Sequence, residues 1–121
     1  MLLNLGHTLG HGFEAAAGYG GLRHGDAVAL GIAAACDVSL ALGSVAVEAV
    51  RRIRTLLCQL RLPIDYEAHV GEASLAFVER DKKRVGDRIH FVLPQRPGET
   101  QITKLRPSEL PGLLARGAAT R

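Results

Sequence analysis

The fold class predicted by this sequence is mainly α, a helical domain with a small β-hairpin near its C-terminus. Three observations predict it. Apolar residues recur at three- and four-residue intervals through most of residues 3–82, the period of a helix with one face turned to a core. Helix-stopping residues, Gly18, Gly43 and Pro63, fall between these runs. Only within residues 88–105 does the pattern shorten to that of strands.

The elements follow in order. A first helix is predicted from Leu3 to Ala17, closed by Gly18 and a turn at Tyr19–Gly21. Asp26 opens a second helix to Leu42, its charge suited to the positive end of the helix dipole, with Gly43 as the stop. Ser44 is the expected N-cap of a third, amphipathic helix through Val47, Val50, Ile53, Leu57 and Leu60. Arg51, Arg52 and Arg54 ride on its solvated face. A fourth helix covers Glu72 to Lys82, turning Leu75, Phe77 and Val78 inward. Arg88–Leu93 and Gln101–Leu105 are the two hairpin strands, and Pro107 and Ser108 introduce a last short helix through Leu110, Leu113 and Leu114. The Ala-rich tail to Arg121 is expected to fray.

At 121 residues, 47% hydrophobic and 22% charged, the chain is read as one soluble domain with a core of its own. A net charge of +3 suits small anionic ligands, and the interleaved aromatics that stack nucleic-acid bases are missing. Cys36 and Cys58 have no CxxC neighbour and are read as small core residues in a reducing compartment. Met1 leads straight into the first helix without a secretory leader, and the longest apolar run, Ala27–Cys36, is too short for a bilayer. A cytoplasmic location is expected, with neither membrane nor nucleic acid as a partner.

The chemistry concentrates in LNLGHTLGHGFEAAAGYGGLRHGDAV. His7 and His11 are four residues apart, so on a helix their imidazoles project from one face, and Glu14 extends that face. The small, glycine-rich stretch of residues 15–21 lets the chain fold back so that His24 meets the pair at the mouth of the next helix. This is the pattern of a metal site with an acid beside it. An H-x3-H pair alone occurs often by chance, but Gly6, Gly10, Gly12 and Gly25 flank these histidines and suggest close approach of backbone to a ligand. His69 and His90 have no partner at ligand spacing and are read as structural or surface residues. The basic cluster Arg80, Lys82, Lys83, Arg84, taken alone, is a solvated helix end.

The segment LNLGHTLGHGFEAAAGYGGLRHGDAVALG resembles the signature of the 3-dehydroquinate synthase family, and DKKRVGDRIHFVLPQRPG is similar to a later segment of the same family. Asp26, Gly12, Phe13 and Ile32 depart from the usual residues without removing a ligand. The resemblance implies a dehydroquinate synthase-like C-terminal helical domain over residues 1–121. It implies that His7 and His24 are zinc (or cobalt) ligands, that His11 serves in proton transfer, and that Asn4 and one of Lys82 and Lys83 contact substrate. The implied reaction converts 3-deoxy-D-arabino-heptulosonate 7-phosphate to 3-dehydroquinate and phosphate, in the shikimate route to aromatic amino acids.

In that family an N-terminal domain binds NAD and supplies a third, glutamate ligand to the zinc. No G-x-G-x-x-G turn or Rossmann pattern occurs here, so this chain is expected to be the metal-bearing half, inactive alone, with the NAD-binding domain as partner and a sugar phosphate as substrate. The family is commonly dimeric, so a homodimer is a further expectation, as is an exposed apolar face on the histidine-bearing helix. Three alternatives stand beside this reading. One is a sibling cyclase such as 2-deoxy-scyllo-inosose synthase; another is an iron-containing alcohol or glycerol dehydrogenase domain, against which Asn4, Thr8 and Glu14 argue; the third is a non-catalytic fragment.

Overall fold

In a computed structural model the backbone is described for residues 2–18, 21–85, 89–96, 99–105 and 107–121, with side chains described for residues 6–18, 21–78, 80 and 108–121. The described fold is mainly helical. Its centre is helix α2, His24–Ala41, buried almost without interruption from Ala27 to Leu40. A helix apolar on all sides belongs inside a fold. Its alanines let neighbouring helices approach closely, and α1 (Leu5–Ala16), α3 (Val47–Gln59) and α5 (Leu110–Thr120) all pack against it, while α4 (Glu72–Val85) packs on α1. By length and composition α2 could cross a bilayer, a test the apolar run Ala27–Cys36 was too short to meet, but 67% of it is buried inside the fold, as in a core helix.

The main core gathers Phe13 from α1, Leu30 and Val38 from α2, Tyr66 from the 3₁₀ turn Tyr66–His69, Val78 from α4 and Leu110 from α5. Each is an apolar surface withdrawn from water, stabilising by about 25 cal/mol per Å². A smaller cluster of Cys36, Leu40 and Val50 seals α3 onto the far end of α2.

Helix ends follow the expected chemistry in part. Gly18 and Gly43 adopt φ of 74° and 70°, the left-handed conformation that ends α1 and follows α2. α2 starts at His24, two residues before Asp26, which sits in its first turn. Ala46 rather than Ser44 is the N-cap of α3, and Ser44 is buried instead. α4 begins with half a capping box, in which the Gly71 N–H donates to Ser74 Oγ at 3.0 Å.

The first helix starts later than its apolar spacing suggested, because Leu2–Asn4 form a strand, β1. β1 pairs in parallel with β2 (Ile89–Arg96), setting Asn4 beside Val92, and β2 runs antiparallel to β3 (Glu99–Leu105). The register slips between Pro94 and Arg96, where proline cannot donate to the ladder. Arg88, the first residue assigned to a strand from sequence, lies outside the described residues.

The tail does not fray. α5 continues to Thr120, and Arg121 reaches back across the fold to Asp37, which is fully buried on α2. The guanidinium donates from Nε to Asp37 Oδ1 at 2.9 Å and from Nη2 to Oδ2 at 3.0 Å, and Nη2 also meets Glu67 at 2.9 Å. The Tyr66 hydroxyl donates to the same carboxylate. A buried charge needs such a set of donors, and here they come from two places, the 3₁₀ turn and the residue that caps α5.

Of the two cysteines Cys36 is buried, but Cys58 is exposed, so it is not the core residue expected. Arg51 and Arg52 are solvated, whereas the Arg54 Nη1 is buried. Burial first, and then the neighbouring Asp37 charge, push the Cys36 thiol up to about 11, with Arg54 opposing. Burial and its bond to Asp37 likewise raise Tyr66 above the ordinary tyrosine value. Both groups hold their protons longer folded than unfolded. The stability Cys36 contributes is therefore whole below the ordinary thiol value of 9.0 and is lost as pH rises from there through about 11, while that of Tyr66 is lost only as pH rises above its ordinary value of 10.0. The expected loss from Cys36 is about 2–3 kcal/mol, seen as a falling denaturation midpoint. A thiol reagent at pH 8 should label one cysteine, Cys58, and reach Cys36 only on unfolding. Labelling of both at equal rates would contradict this.

Candidate functional site

The site is built where α1 and α2 meet. α1 holds His7 and His11 one turn apart, with ring centroids 4.1 Å from each other and ring planes inclined at 53°. α2 begins at His24, whose ring centroid lies 6.3 Å from that of His11. His11, half-buried, thus has two other imidazoles near it, while His7 and His24 are exposed. Glu14 reaches His24 from α1: the two side chains meet at 3.3 Å between Oε1 and Nδ1. Asp26 stands half-buried one residue past Gly25.

What fixes this arrangement is the close crossing of the two helices. A Cβ on Gly31 of α2 would collide with the Gly6 carbonyl oxygen and stand 2.8 Å from the Gly10 nitrogen, both backbone atoms of α1. A Cβ on Gly10 would stand 2.8 Å from the Ala27 carbonyl oxygen. A Cβ on Gly12 would stand 3.1 Å from the Ser74 carbonyl oxygen of α4, and one on Gly25 would meet nothing within 4 Å among the described residues outside its own helix backbone. Gly10 and Gly12 therefore seat helix on helix, where they were expected to let backbone approach a ligand, while Gly25 seats no neighbouring helix.

Asn4 lies on β1, directly before α1, and Lys82 and Lys83 lie in the last turn of α4; their side chains fall outside the described residues. His69 is half-buried with its ring 6.2 Å from Phe13, and His90 pairs through its backbone with Leu2 and Lys104. The most exposed large apolar side chains among the described residues are Leu56 on α3 and Leu60, its C-cap, and not residues of α1.

Chemically, the cluster offers imidazole nitrogens suited to zinc, with a carboxylate in contact with one of them. Among the described residues no group of three or more His, Cys, Asp or Glu converges as a ready metal cage. Two exposed imidazoles with a third ring beside them would suit a site that takes a further ligand from elsewhere. The Glu14–His24 contact was only half legible in sequence, which placed Glu14 on the histidine face without pairing it.

Comparison with known proteins supplies the frame. Residues 1–84 match the family described as 3-dehydroquinate synthase C-terminal. The chain is 38% identical over 109 residues to the 3-dehydroquinate synthase of Thermoanaerobacter sp. (strain X514), covering 90% of this chain and 31% of that protein. It is 40% identical over 102 residues to that of Colwellia psychrerythraea (84% and 29%) and 44% identical over 107 residues to that of Shewanella denitrificans (84% and 29%). The chain thus spans about three-tenths of the length of these relatives. With its histidine-bearing helix pair and this match over most of its length, the chain belongs to the 3-dehydroquinate synthase C-terminal family.

Proposed function

We propose that this domain forms the metal-bearing half of a 3-dehydroquinate synthase active site, completed by an NAD-binding domain. The reading rests on one observation above the others, the gathering of His7, His11 and His24 at the α1–α2 junction. His7 and His24 would hold the zinc ion. When bound, zinc supplies Lewis-acid chemistry, lowering the pKa of substrate hydroxyls and polarising an adjacent carbonyl. His11, half-buried and close to both rings, takes and returns the substrate proton, the work for which an imidazole near neutral pH is suited. Asn4 orients the substrate from the strand leading into α1, and a lysine of the Lys82–Lys83 pair binds its phosphate or carboxylate. The reaction is the elimination of phosphate from the seven-carbon sugar acid phosphate, with ring closure to 3-dehydroquinate.

Catalytic zinc ordinarily has three protein ligands, so two histidines leave the site short, and the isolated chain should not turn over. Zinc titration by calorimetry of the metal-free chain, beside His7→Ala and His24→Ala, tests the proposal. Weak binding that either substitution abolishes is the expected result, with His11→Ala retaining it. Binding indifferent to both substitutions, or full synthase activity from this polypeptide alone, would overturn it.

A further inference from the structure

We infer that Glu14 is a positioning residue that fixes His24 in the tautomer carrying its proton on Nδ1, so that Nε2 keeps the lone pair for a metal ion. The inference deepens the zinc reading and rests on it for the metal, but not for the tautomer. Glu14 Oε1 stands 3.3 Å from His24 Nδ1. A carboxylate can only accept, so the nitrogen facing it is the one that donates. The His24 side chain is 65% exposed, and packing therefore does little to hold the ring. Glu14, only 17% exposed, is the better-held partner, on α1 three residues after His11. An unassisted neutral imidazole in water prefers its proton on Nε2, the nitrogen this site would need bare. A hydrogen bond to one ring nitrogen sets which nitrogen can ligate, and it fixes ring direction as well.

Glu14 is accordingly placed to orient His24 without binding the metal itself. The test is nitrogen-15 NMR of the metal-free chain at a pH where imidazole is neutral, which reports the proton's position on each histidine. The unaltered chain should show His24 protonated on Nδ1. Glu14→Ala should return the proton mainly to Nε2, and Glu14→Gln, whose amide oxygen can accept the same N–H, should retain Nδ1. Zinc affinity should fall about tenfold in Glu14→Ala and recover most of that loss in Glu14→Gln, with circular dichroism checking that each variant folds. An unchanged His24 tautomer in Glu14→Ala overturns the inference. So does loss of zinc binding as complete as in His24→Ala, which would make Glu14 a ligand. A chain that binds no zinc at all defeats the metal reading separately, while the tautomer still decides the role of Glu14.

Discussion

Replacing Arg121 with alanine is expected to destabilise the domain by about 3 kcal/mol, the lower end of what removing one member of a buried ion pair costs. The partner left behind, Asp37, is fully buried, and the Tyr66 hydroxyl alone cannot replace two guanidinium donors. Arg121 itself remains 21% exposed, which keeps the estimate at the low end. For a domain of this size the loss lowers Tm by about 12 °C. A double-mutant cycle isolates the cause: in an Asp37→Asn background the same substitution should cost under about 1 kcal/mol. An equal loss in both backgrounds would assign the effect to fraying of α5 instead.

Gly31→Ala should be as damaging, for a steric reason. The new methyl meets only backbone, the Gly6 carbonyl and the Gly10 nitrogen and Cα, the last at 3.0 Å, so no side chain can rotate away and the helices must part. About 3 kcal/mol is expected, the top of the ordinary range for overpacking. Because α1 bears His7 and His11 and α2 bears His24, parting them should also weaken the zinc binding proposed for these histidines. Gly25→Ala supplies the contrast within the same helix. Nothing lies within 4 Å of its Cβ position, and alanine's better helix propensity should stabilise by up to about 1 kcal/mol. Urea denaturation of the two variants reads opposite signs, and a loss in both would show that α2 tolerates no change in its backbone preference.

What could be read from the residues was local. His7 and His11 were legible because four residues make one helical turn, and the stops at Gly18 and Gly43 because a left-handed residue favours glycine. The return of His24 to the pair followed from the glycine-rich connection. What failed was long-range. Three residues, Leu2–Asn4, carry too short a pattern to reveal a strand whose partner begins near residue 90. The tail looked frayed because its alanines show no anchor, and the anchor is one arginine facing a carboxylate far away in sequence. Cys58 lies in a leucine-rich run yet is exposed, since its amphipathic helix turns only one side to the core. The glycines misled for a related reason: sequence shows that backbone is approached, not whether a helix or a ligand approaches it.

The Asp37–Arg121 pair also sets a timetable for biosynthesis. Eighty-four residues separate the two partners. At ribosomal speeds of about 5–20 residues per second, the aspartate is made roughly 4–17 s before its counter-ion. Throughout that interval burying Asp37 costs about 3 kcal/mol more than it does with the arginine in place, so the packing around α2 is weaker until Arg121 is made. The α1–α2 contact, whose partners are close in sequence, can close first. The histidine corner is then assembled early, and the helix beneath it is locked only when Arg121 arrives.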